Sequence, residues 1–319
     1  MWTLKDIETL KTNHGKLTLP QINKLLDTPK SYTCLRSYAQ RLGLFRNKTN
    51  IRLPIKNRYN MNYWDKPNLI NSTLAGRIAG DGCLREVSPG HFSFSYKCAI
   101  KDECIIDNFI KELKYTGKKC YTQGVSPHYP ERICKMVDIQ LSSFDNNAQN
   151  LNKWYNITSV KTHRLGPTNI QDDNLNLAFC IGLLDSDGSI EVRDNGKYGL
   201  EVRFAYFSCS EKIVIWYKDL VDRLFPSYTD RVANLVKQDT LYRLYIGGVR
   251  AAVIIDYLSQ FPVPKLDRKW TPPKLWECIN IIKTKNPHLF KKLVLPPNLS
   301  VNPIEEKTLE TSLISPIIS

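Results

Sequence analysis

The sequence has no long apolar run, no paired-cysteine motif and a shortage of acidic residues, and each lack excludes something. The longest apolar stretches, such as 251–255, fall far below the roughly 20 residues a bilayer-spanning helix needs, so no membrane span is expected. The opening Met1-Trp2-Thr3-Leu4-Lys5-Asp6 has no apolar signal core. An intracellular protein, in cytoplasm, nucleoid or organelle matrix, is therefore expected rather than a secreted one. Nine cysteines, an odd number without a C-x-x-C pair, suggest neither a disulfide framework nor a zinc ribbon. They read as small core residues in a reducing compartment. The five histidines (14, 91, 128, 163 and 288) show no metal-ligand spacing, and no G-x-x-x-x-G-K-S/T phosphate loop occurs.

What is present is rich in base. Lys and Arg number 45 against 31 Asp and Glu in 319 residues, a net +14 that makes a polyanion the default partner. Residues 1–70 hold 13 basic and 4 acidic side chains, a net +9, which leaves only +5 for the remainder. With 42% hydrophobic and 24% charged residues the chain reads as globular, and its length suits two or three units.

Trp2, Leu4, Ile7 and Leu10 have helical spacing, and Pro20 takes a first-turn position before Ile22, Leu25 and Leu26. Ser31 caps a third helix, with Leu35, Tyr38, Ala39 and Leu42 inward and Gly43 at its C-terminal end. The opposite face carries Thr33, Arg36, Ser37 and Gln40, with Arg41 beside it; such side chains reach base edges and phosphates from a major groove. Residues 1–45 thus read as a small all-α helical module resembling a helix-turn-helix or Myb-like DNA-binding unit. Residues 46–68, polar, basic and Asn-rich, read as a linker tracking phosphates. About 20 extended residues span roughly 65 Å, on the order of 20 base pairs.

Two segments about a hundred residues apart share an unusual ending. Leu74-Ala75-Gly76-Arg77-Ile78-Ala79-Gly80-Asp81-Gly82 aligns with Cys180-Ile181-Gly182-Leu183-Leu184-Asp185-Ser186-Asp187-Gly188. Each reads as an apolar helix with small residues four apart, Ser72, Gly76 and Gly80 in one and Ala178, Gly182 and Ser186 in the other. That spacing lets two helix backbones approach closely. Each helix ends in Asp-Gly, where the glycine is expected in the left-handed cap conformation and terminal carbonyls point outward. Side by side, the two ends bring together Asp81 and Asp187 with the carbonyls of Gly80 and Ser186. This hard-oxygen set suits Mg²⁺. Downstream of each motif the apolar alternation predicts strands, a helix (Asp102 to Leu113; Lys212 to Leu224), two more strands and a closing helix (Asn146 to Tyr155; Val249 to Phe261). The halves span 69–166 and 167–285, and the Pro-bearing remainder, 286–319, reads as a partly ordered tail.

The sequence here resembles the LAGLIDADG homing endonucleases in the single-chain form that carries two copies of the motif. The first copy keeps Leu74-Ala75-Gly76 and Gly80-Asp81-Gly82; the second keeps Gly182 through Gly188, followed by Ser189-Ile190. It departs at Arg77, where the motif's fourth position is usually apolar, and at Ala79, where the sixth is often Asp. Asp185 fills the sixth position of the second copy. The resemblance implies an α+β fold of two pseudo-symmetric αββαββα halves, whose antiparallel sheets form a saddle over double-stranded DNA. It also implies a monomer of intron homing that cuts both strands of a long asymmetric target with Mg²⁺, leaving 3′ overhangs, with Asp81 and Asp187 as catalytic metal ligands. A basic residue near the end of each half is implied too: Lys161, and Lys269 with Lys265 and Arg268 as alternatives. The polar sheet faces offer Arg85, Lys97, Lys119, Arg132 and Lys135 in the first half as DNA contacts. The second half offers Arg193, Lys197, Arg203, Arg231 and Arg243. Relatives of this kind also include maturases that bind intron RNA, and regulators that lack the metal aspartates present here.

Overall fold

The computed structural model describes residues 2–14, 17–44, 59–125, 133–194, 196, 199–225 and 233–291. They fall into two units, within Met1–Lys56 and Asn57–Ser319.

The first unit holds α1 (Leu4–Asn13), α2 (Leu19–Asn23) and α3 (Tyr32–Arg41). Capping boxes start α1 (Thr3 with Asp6) and α2 (Thr18 with Gln21), satisfying backbone donors that a helix start leaves open. Ser31 Oγ accepts from the Cys34 amide at the head of α3, and Gly43 closes it with a φ of +67°. Leu10, Ile22, Leu26, Leu35 and Ala39 are buried together, and Trp2 stacks on Tyr38 at 4.1 Å between ring centroids. Leu4, counted on the apolar stripe of α1, is exposed.

In the second unit the expected order occurs twice. The first half runs α4 (Leu69–Gly80), β1 (Gly82–Ser88), β2 (His91–Ala99), α5 (Glu103–Leu113), β3 (Cys120–Val125), β4 (Ile133–Leu141) and α6 (Asp145–Tyr155), then a single turn, α7 (Lys161–Arg164). The second runs α8 (Asp173–Asp187), β5 (Gly188–Asp194), β6 (Leu200–Ser208), α9 (Glu211–Leu224), β7 (Asn234–Gln238), β8 (Leu241–Gly247) and α10 (Gly248–Ser259), then α11 (Asp267–Trp270), α12 (Pro273–Lys285) and α13 (Pro287–Lys291). The antiparallel sheets have matching orders, β1-β2-β4-β3 and β5-β6-β8-β7. The fold class is thus α+β with two αββαββα halves.

The core is centred on α4 and α8. Both are apolar on nearly all sides, so neither can face water, and residues 71–79 of α4 and 176–185 of α8 are buried. The helices touch backbone to backbone. A methyl group on Gly76 would lie 2.9 Å from Gly182 Cα and collide with the Phe179 carbonyl, while one on Gly182 would collide with the Thr73 carbonyl. Because backbone atoms cannot swing aside, Gly76→Ala and Gly182→Ala are each expected to cost about 1–3 kcal/mol. Urea unfolding of the full chain measures this, and an unchanged midpoint would refute the close crossing.

Four expectations need correction. Gly82 and Gly188 are not in the left-handed region; Gly188 has φ −107°. What demands glycine is space, since a Cβ on Gly82 would lie 2.8 Å from Ile78 Cα and one on Gly188 2.7 Å from Leu184 Cα. Residues 59–68, read as the end of a linker, belong to the core unit: Trp64 is fully buried and its Nε1 donates to the Asn71 carbonyl at 2.9 Å. Residues 286–291, read as tail, cover the core with Leu289 and Phe290, while 45–58 and 292–319 lie outside the described residues. Of the nine free cysteines only Cys98, Cys180 and Cys278 are buried; Cys134 and Cys209 are half-buried, and Cys34, Cys83, Cys104 and Cys120 are exposed.

Candidate active site and nucleic-acid interface

Asp81 caps α4 and Asp187 ends α8, so the crossing of the two helices sets where both carboxylates stand. A Cβ on Gly80 would lie 2.9 Å from Asp187 Oδ2, which places the end of one helix against the carboxylate of the other. Both aspartates reach solvent, and a lysine from the turn after each half's closing helix is held at the adjoining helix end. Lys161 Nζ donates to the carbonyls of Ala79 and Gly80, each at 2.7 Å. Lys269 Nζ donates to the carbonyls of Leu184, Asp185 and Gly188, each at 2.7 Å. Each lysine thus satisfies the open carbonyls at the end of its own half's motif helix, where the helix dipole favours a cation.

The four charges perturb one another. Burial raises the Asp81 carboxyl, which Lys269 and Lys161 partly offset. Burial, with the Asp81 charge adding, pushes Asp187 to about 6. Loss of hydration lowers Lys161 and brings Lys269 to about 8, against the pull of the nearby aspartates. Two carboxylates in one partly dehydrated site resist joint ionisation, which is the condition a bound dication relieves. The oxygen-only donors fit a hard divalent ion. Among the described residues no group of three His, Cys, Asp or Glu side chains gathers around one point, so further ligands would be water or phosphate oxygens.

Among the basic residues of the second loop, only Lys269 meets the motif carbonyls. Lys265 Nζ donates to the Phe261 carbonyl, and Arg268 pairs with Asp102 through Nε at 2.7 Å and Nη2 at 3.0 Å. The departure at Arg77 also finds its partner. Its Nε and Nη2 donate to Asp185 Oδ2 at 3.1 and 2.7 Å, and both side chains are fully buried. Asp185 Oδ1 in turn accepts from Trp270 Nε1 at 2.7 Å, tying the loop of Lys269 to the motif helix. Tyr96 escaped notice as a site residue. It stands opposite Gly82 across β1 and β2, with its hydroxyl 3.5 Å from Asp81 Oδ2, and Tyr206 stands opposite Gly188 in the second half. The alternation on β2 and β6 carries this signal once the register is known.

Register also sorts the sheet candidates. Arg85 and Lys97 share one face of the first sheet with Ser93, Ser95 and Gln140, away from the core. Lys119 and Lys135 do not belong to that face. Lys135 lies on the side of Val137 and Ile139, and Lys119 pairs with Glu103 and Asp107 of α5 at 2.5 Å each. The period of two decides this, because a residue an odd number of places away points to the other face. In the second sheet Arg193, Arg203 and Arg243 share the face opposite the core. Arg36 and Arg41 are exposed on α3, which also contains Gln40. Arg132, Lys197 and Arg231 lie outside the described residues.

No protein-family profile matches the sequence, and no curated protein matches it. Solved structures do. The LAGLIDADG meganuclease I-AabMI bound to uncleaved DNA is similar over 71% of this chain and 95% of its own, at 13% identity and a TM-score of 0.41. The LAGLIDADG meganuclease I-CpaMI bound to uncleaved DNA is similar over 71% and 95%, at 13% and 0.44. The LAGLIDADG homing endonuclease I-SmaMI bound to cleaved DNA is similar over 71% and 93%, at 13% and 0.43.

Proposed function

We propose that the chain is a site-specific DNA endonuclease of the LAGLIDADG homing type, cutting both strands of a long asymmetric target. The observation that carries this reading is the paired site itself: two helix-terminal aspartates at one helix crossing, with a lysine of each half bonded to the end carbonyls of its own motif helix, between two sheets with polar outer faces. Two half-sites suit two scissile phosphates, and non-identical halves suit a target without a palindrome.

Asp81 and Asp187 would hold Mg²⁺, which supplies a polarised phosphoryl oxygen and an acidified water when bound. The chain's own residues do the rest. Lys161 and Lys269 keep positive charge beneath the reacting centre, where phosphate gains negative charge in the transition state. Their bonds to helix-end carbonyls fix that charge before substrate arrives. Cuts made across the minor groove leave 3′ overhangs.

Replacing Lys269 with Met is expected to slow cleavage about a hundredfold. Lys265→Met, which loses only the bond to Phe261, stays within about threefold of the parent. Single-turnover cleavage of plasmid DNA compares them, and equal rates for both variants would remove Lys269 from the site.

The N-terminal unit, with Arg36 and Arg41 exposed on α3, grips one flank of the target in this reading. Deleting residues 1–45 is expected to shorten the nuclease-protection footprint on one side only and to flatten the salt dependence of binding. An unchanged footprint would refute that role.

The test of the function is Mg²⁺-dependent cleavage of DNA that joins the gene's flanking sequences without the insertion. Specific double-strand cuts establish the endonuclease. Tight binding without cutting, to that DNA or to intron RNA, establishes a regulator or a maturase.

A further inference from the structure

Arg203 differs from the other basic residues of the sheet faces in being held from two sides. It lies on β6, an inner strand of the second sheet, opposite Glu191 on β5 and Gly247 on β8. Its Nε donates to Glu201 Oε2 at 2.8 Å and its Nη2 approaches the same oxygen at 2.7 Å. The guanidinium carbon sits 5.4 Å from the centroid of the Tyr245 ring, a platform on the same face. Gly247 makes room for the pair, since a Cβ there would lie 2.5 Å from Glu201 Oε1 and 3.5 Å from Arg203 Cγ.

This clamp is enclosed. The side chains of Arg203 and Glu201 are 19% and 12% exposed, whereas the similar pair Arg193–Glu191 is 53% and 40% exposed. Solvent and entropy loosen the exposed pair, while the enclosed one keeps a single pose. No acceptor among the described residues takes Nη1 of Arg203. The carboxylate occupies the Nε edge, so the Nη1/Nη2 end remains to donate two parallel bonds outward.

Two parallel donors on a rigid plane match the O6 and N7 acceptors of guanine in a major groove, which no other base pair edge presents together. We propose that Arg203, clamped by Glu201 and Tyr245, reads a guanine and is the main sequence-determining side chain of the second sheet; this rests on the endonuclease reading above. The clamp removes the rotamer freedom that a long side chain loses on binding, so discrimination is not spent on ordering. The position of the base follows from the strand. Glu191, across from Arg203, is four residues beyond Asp187, about 13 Å along the strand. That is the length of about four base pairs, so the guanine lies about four pairs from the cleavage centre.

The test is selection of bound sequences from a fully randomised duplex DNA library by the full-length protein in EDTA, so that nothing is cut. The parent protein is expected to enrich a site with one strongly preferred G·C pair about four pairs from its centre. Arg203→Ala and Arg203→Lys are expected to flatten preference at that pair alone, by about ten- to a hundredfold. Glu201→Gln weakens preference there, Tyr245→Phe keeps it and Arg193→Ala leaves it unchanged. Lysine keeps the charge but not the fork, so a profile retained by Arg203→Lys would mark a phosphate contact and overturn the proposal. An unchanged Arg203→Ala profile, in a protein with the parent's unfolding midpoint, would overturn it as well while leaving the endonuclease reading intact. If the parent enriches no sequence, both readings fall.

Discussion

Asp187→Asn is expected to bind its DNA target with unchanged sequence preference and to cut it at least about a thousandfold more slowly. The amide keeps the shape of the carboxyl and its place at the end of α8 but loses the charge that would hold a dication beside Asp81. The same group sets the acid limb of activity. With the metal-free Asp187 carboxyl pushed to about 6, protons compete with the dication for it, so the Mg²⁺ concentration needed for half-maximal cleavage rises as pH drops through about 6. Stability moves in the opposite sense. A carboxyl raised on folding favours the folded state fully below its ordinary value of 3.8, and that contribution is lost as pH rises through about 6. The Asn variant has no such loss, so its unfolding midpoint should gain on the parent's between about pH 4 and 6 and hold the gain above. Urea titrations across that range and single-turnover rates measure the two effects. A variant that cuts at the parental rate would end the assignment of Asp187.

Arg77→Met is expected to destabilise the core by about 3–5 kcal/mol, because it removes one partner of a buried ion pair and leaves the Asp185 carboxyl without it. No solvent reaches either side chain, and Arg77 Nη2 also donates to the Pro264 carbonyl at 2.8 Å, while its Nη1 is buried without a partner among the described residues. Adding Asp185→Asn should recover a large part of the loss. The amide oxygen can still accept from Trp270 Nε1, and both charges of the buried pair are gone. Chemical unfolding of the parent, both single variants and the double variant gives the coupling energy of the pair. Additive effects would show that Arg77 and Asp185 do not depend on each other. The pair joins the fourth position of one motif to the sixth position of the other, so neither half could satisfy it with a copy of itself.

Much of this was legible in the chain. The small residues at Gly76 and Gly182 announced a close helix crossing, and the twofold order of elements followed from apolar alternation and from the repeated Asp-Gly ending. Lys161 was implied only by the family resemblance of its loop. Other features were not legible. Trp64 lies in a segment without periodicity, so nothing local marked it as buried. Lys119 and Lys135 sat near strands whose facing depends on register, and the register is set by partners distant in sequence. Among Lys265, Arg268 and Lys269, three bases within five residues offer no local distinction. Only the fold of the loop aims one of them at the carbonyls of α8.

The sequence by itself determined the two halves, the helices that join them and the aspartates that end those helices, because small-residue spacing and helix termination are local properties of the chain. Tertiary structure alone decided which lysine meets which helix end, that Arg77 pairs with Asp185, which strand residues share a face and that Arg203 is clamped. Those outcomes depend on contacts between residues tens to hundreds of positions apart, and such contacts exist only once burial of the core has fixed helix crossing and strand register together.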